Sequence, residues 1–144
     1  MLVINSVSAT ELKAIESTQI SFILNNFKVI AESDNNHPDY ARIIATTEPY
    51  ECGGKWTSCP SSNLYIATSM LVLDPPQKTY MLPEAKGWKF VKWLEVKTGN
   101  NGMPVMGVEV HTTLNGSNIT NRSEWKPKRY RVWFNTYGAQ YETF

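Results

Sequence analysis

The chain has 144 residues, of which 42% are apolar and 19% charged, with a net charge of +1. This composition describes one ordinary globular domain with its own core, and excludes a disordered tail, a disulfide-dense mini-protein and a helical membrane span. The charge is unevenly distributed: residues 1–51 hold seven acids against three bases, whereas residues 86–131 hold nine bases against three acids. Such polarity steers a charged partner towards one surface without naming it.

The opening run Met1-Leu2-Val3-Ile4 is short for a signal peptide and has no basic residue before it, so a cytoplasmic protein is expected. Residues Ser8-Ala9-Thr10-Glu11 have the form of a capping box, in which the Ser8 hydroxyl accepts from the Glu11 N–H and the Glu11 carboxylate reaches back. Leu12, Ile15, Phe22, Ile23, Phe27 and Ile30 follow at helical spacing. A helix is predicted over most of 9–25, ending near Asn25 or Asn26 or running on to about Ala31. The stretch 33–38 has turn chemistry throughout. From Tyr40 to Thr47 a short helix and a strand compete, with a strand preferred for the later part.

Beyond Cys59 the pattern turns to β. Residues 64–73 are apolar on both parities, as in a central strand covered on both faces. A turn at Asp74-Pro75-Pro76-Gln77 leads to a short strand from Lys78 to Leu82. Longer strands are predicted at about 87–97, 104–113 and 128–137, separated by Gly99-Asn100-Asn101-Gly102 and by a polar loop from Asn115 to Ser123. The connections are too short for parallel crossovers, so the strands should form an antiparallel meander. The expected architecture is a single α+β domain over 1–144: an N-terminal helix, with a second short one allowed, packed on a sheet of about five strands.

Parity in these strands predicts a buried set (Trp88, Phe90, Leu94 and Val96; Met106, Val108 and Val110; Tyr130, Val132 and Phe134). The opposite parity gathers Lys89, Trp93, Lys97, His111, Arg129, Arg131 and Trp133 on one open face if the three strands are neighbours. Trp and Arg are enriched among interface anchors, and bases interleaved with rings also suit stacking on nucleic acid. The plainer alternative is that the two Trp rings pack under a loop or the chain ends while Lys and Arg solvate the sheet.

No constellation carries chemistry. Cys52 and Cys59 bracket a short loop that a disulfide would stabilise by about 2.5 kcal/mol in an oxidising compartment, but in a cytoplasm they should be thiols. Zinc needs four ligands, and only His37 and His111 could complete the cysteine pair. A cysteine nucleophile would need His111 as its base, and nothing in the sequence brings the two together. Glu95 and Glu109 could face each other as an acid pair, although charged cross-strand neighbours are ordinary on wet sheet faces. No phosphate loop or nucleophile elbow is present. The sequons at Asn115, Asn118 and Asn121 read as a solvated, turn-forming loop. No catalytic, cofactor or metal-ligating residue is assigned, and no enzyme is expected.

The expected function is therefore that of a small non-catalytic protein-binding domain. Its most concrete form is an inhibitor of the immunity type that docks on a toxin or enzyme and blocks it, with Lys89, Trp93, Lys97, His111, Arg129, Arg131 and Trp133 as the partner-binding residues and no membrane partner. The alternatives are a nucleic-acid-binding domain using the same face, opposed by a pI of about 7.7, and a small hydrolase with an unrecognised site.

Overall fold

Alternation of apolar and polar residues dominates the chain wherever it is described, and the result is sheet. The computed structural model describes residues 9–14, 27–46, 63–71, 75–82, 85–114 and 127–144. Its strands are β1 (Thr10–Glu11), β2 (Lys13–Ala14), β3 (Phe27–Glu32), β4 (Asp39–Thr46), β5 (Asn63–Met70), β6 (Gln77–Met81), β7 (Lys86–Thr98), β8 (Pro104–Leu114), β9 (Lys128–Asn135) and β10 (Gly138–Thr143). They form two antiparallel sheets, ordered β1-β10-β9-β8-β7 and β2-β6-β5-β4-β3. The short β1 and β2 are successive halves of one segment that borders both sheets.

One core joins the two sheets. Ile43, Leu64, Ile66, Tyr80 and Leu82 come from the β3–β6 side, and Trp88, Met106, Val108, Val110, Val132 and Phe134 from the β7–β10 side. Within β8 and β9 the inward parity is regular, since Met106, Val108 and Val110 stand opposite Phe134, Val132 and Tyr130. The hairpin between β7 and β8 turns through Gly99-Asn100-Asn101-Gly102, where the Gly102 N–H donates to the Gly99 carbonyl at 2.9 Å. Gly102 takes a φ of 76°, a conformation that glycine adopts without steric cost.

The α+β expectation is overturned: the described residues contain no helix, and the architecture there is two antiparallel sheets. Where a helix was predicted from residue 9, Thr10 and Glu11 pair with Tyr141 and Gln140, and Lys13 and Ala14 pair with Met81 and Tyr80. Between them the Leu12 N–H donates to the Ala139 carbonyl at 2.8 Å while its side chain is buried. A capping box satisfies local N–H groups only. Here ladder bonds from two sheets, together with burial of Leu12, satisfy the same backbone and remove apolar surface as well. At the far end of the predicted helix, Phe27 to Glu32 pair with β4. Ser8 and residues 15–26 lie outside the described residues, as do Cys52, Cys59 and the three sequon asparagines.

Candidate functional site

The outer face of the β7–β10 sheet is set by three strands in register. Lys89 stands opposite His111, and His111 opposite Arg129; one level along, Lys92, Glu109, Arg131 and Glu142 lie side by side across four strands; the next level holds Leu94, Gly107, Trp133 and Gln140. Cross-strand neighbours of this kind have Cβ atoms about 4.5–5.5 Å apart, close enough for their charges to interact directly.

The second level alternates in sign. Glu109 is only 7% exposed, yet it is held on three sides: it accepts from His111 Nε2 at 2.9 Å, faces Lys92 Nζ at 3.9 Å and stands opposite Arg131. Arg131 in turn lies 3.8 Å from Glu142. A carboxylate so little exposed to water requires this kind of pairing, and losing it would leave a charge without compensation.

Trp133 lies flat on the third level. A Cβ on Gly107 would overlap the indole ring, so the strand carries glycine where the ring crosses its backbone. Leu94 and Val105 flank the ring, and Lys97 Nζ sits 3.8 Å above its centre. Covered in this way, Trp133 is only 5% exposed. At the opposite end the Arg131 guanidinium stacks over the Phe144 ring at 4.0 Å, and Arg129 reaches the same ring at 5.9 Å.

Six of the seven predicted residues thus share one face: Lys89, Lys97, His111, Arg129, Arg131 and Trp133. Trp93 does not join them. The register of β7 shifts between Phe90 and Lys92, and again between Leu94 and Lys97. The first bulge reverses parity, so that Trp93 stands opposite Val108 and packs on the core, 5.0 Å from the His37 ring and 5.6 Å from Phe90. By the same reversal Lys92 and Leu94 turn outward. Glu95 falls within the second shift and Glu109 pairs with Lys92, so the two acids are not cross-strand partners.

Sequence reasoning missed Lys92, Leu94, Gln140, Glu142 and Phe144. The first two were hidden by the bulge, and the rest by an unpredicted β10. A signal for β10 was present in Asn135-Thr136-Tyr137-Gly138, where the Asn135 side-chain oxygen accepts from the Tyr137 N–H at 2.8 Å. His37 sits in the β3–β4 turn, where it bonds Asp34 at 2.8 Å. The Asn36 N–H donates to the same Asp34 carboxylate and helps hold its pKa below the ordinary value. Among the described residues no group of three or more His, Cys, Asp or Glu is placed to hold a metal ion. Nor is any helix there long and apolar enough to cross a membrane.

Comparison with known proteins finds no family model, no curated protein and no solved structure that matches the chain.

Proposed function

We propose that the chain is a small non-catalytic protein-binding domain that docks a partner through the outer face of β7–β10. Its concrete form is an inhibitor of the immunity type, which covers a site on a toxin or enzyme. The observation that carries this reading is the alternating row Lys92–Glu109–Arg131–Glu142, assembled on four adjacent strands rather than on loops. Charges held in order on a rigid sheet need little further ordering when a complementary surface arrives, and they discriminate between partners by sign.

The placement of the rings favours protein over nucleic acid. Stacking on bases needs exposed aromatic faces, whereas Trp93 packs on the core and Trp133 is covered by Lys97. Trp133 accordingly supports the face from within, and Arg131 takes the role of central anchor.

The test is recovery of the partner from the native host by cross-linking to the wild-type chain and to an Arg129→Ala/Arg131→Ala variant whose thermal unfolding matches wild type. Arg131→Ala alone should weaken the recovered complex by about 2 kcal/mol, the size of a central anchor. Equal recovery with both chains would remove this face from the function. Tight binding of labelled RNA or DNA at physiological salt, with a log–log salt slope near −0.9 per neutralised phosphate on duplex, would replace the protein reading with a nucleic-acid one.

A further inference from the structure

The row next to the alternating one does not alternate. Lys89, His111 and Arg129 stand side by side across β7, β8 and β9. Among the described residues neither Lys89 nor Arg129 has an acid within ion-pair distance. Glu109, the nearest carboxylate by register, directs one oxygen to His111 and the other to Lys92. Lys89 and Arg129 stand two strands apart on either side of His111, so they share one face with no acid between them. The second row is compensated by its own members, whereas in the first only His111 has an acid partner and the charges of Lys89 and Arg129 are open to one from outside.

We infer that the Lys89–His111–Arg129 row is the subsite that receives a carboxylate-rich segment of the partner protein; this rests on the docking face proposed above. Three strands at a spacing of about 4.8 Å separate the outer two bases by roughly 10 Å. That span matches one or two side-chain carboxylates. A polynucleotide would need a longer track of bases for successive phosphates, and here the next row brings Glu109 and Glu142 under its path. The guanidinium of Arg129 can take a carboxylate bidentately, and Lys89 supplies a mobile point charge from the other side.

The experiment is an NMR titration of the whole chain with a short oligoglutamate peptide, with oligoglutamine and single-stranded oligouridylate as the comparison arms. Saturable shifts confined to the His111 ring and the Arg129 Nε–H are expected with oligoglutamate alone. Lys89→Gln/Arg129→Gln should weaken that binding at least about tenfold, equivalent to ~1.4 kcal/mol. The control Lys28→Gln/Lys78→Gln removes the same charge from the other sheet and should change the binding less than about twofold, below ~0.5 kcal/mol. Equal weakening by both pairs would reveal mere net-charge attraction and overturn the subsite, as would tighter binding of oligouridylate. If oligoglutamate shows no localised shifts while Arg131→Ala still releases the host partner, the carboxylate assignment fails and the docking face stands; if neither effect occurs, both fail.

Discussion

Tyr80 carries a polar group through the core from one sheet to the other. Its hydroxyl donates to the Asn135 carbonyl at 2.8 Å, linking β6 to the end of β9, and the residue is 3% exposed. Burial pushes the phenol pKa up to about 12 from its ordinary value of 10.0. The neutral form is therefore favoured by the fold: its contribution is complete below pH 10 and is lost as the pH rises from 10 towards 12, because the unfolded chain deprotonates first. Tyr80→Phe should cost about 1 kcal/mol in urea unfolding at pH 7. The variant should also lose less stability than wild type between pH 10 and 12. At this scale the sequence was informative about type but not about partner. Tyr130, Val132 and Phe134 read as buried from alternation alone, and they are buried. Nothing in the spacing indicated that Trp133 would lie over Gly107, since that contact depends on which residue of β8 stands opposite.

Strand β7 shows how one residue redirects a whole element. Val91 is the extra residue in the first register shift, and it converts a run that reads Trp88, Phe90, Leu94 inward into one that reads Trp88, Phe90, Trp93 inward. Deleting Val91 would remove the bulge and bring Phe90 and Lys92 into consecutive ladder positions opposite Val110 and Glu109, with Lys92 still outward and Trp93 still inward. Val91 is itself exposed and no core side chain changes face, so we expect a stability change within about 1 kcal/mol. Chemical denaturation reads this directly, and a loss of about 3 kcal/mol or more would show that Val91 is not the extra residue of this strand. The bulges and the Lys residues of β7 also blunt a long edge strand against pairing with other chains. Alternation was legible in this strand, but the phase of its second half was not. Apolar residues at 90, 91, 93, 94 and 96 fit either parity until β8 supplies a register.

Across the whole molecule, the segment Thr10–Ala14 ties the sheets together, bordering one through β1 and the other through β2. Leu12 lies at the crossover, 6% exposed and packed in the shared core. Leu12→Ala should destabilise the fold by about 3 kcal/mol through lost burial and the cavity left behind. Thermal unfolding followed at both sheets should show them melting together in wild type, and a separation of their transitions in the variant would locate the coupling in this residue. The sequence by itself determined the β character from β5 to β9, the turn at Gly99–Gly102, much of the inward set and six of the seven residues on the basic face, because period-two alternation and turn chemistry are local properties of the chain. Only the tertiary structure decided that residues 10–11 and 13–14 are strand, that a second sheet lies opposite the first and that Trp93 faces the core. Each of those outcomes depends on hydrogen bonds or packing with residues distant in sequence, whose free energy exceeds the local preference of a capping box or a simple alternation.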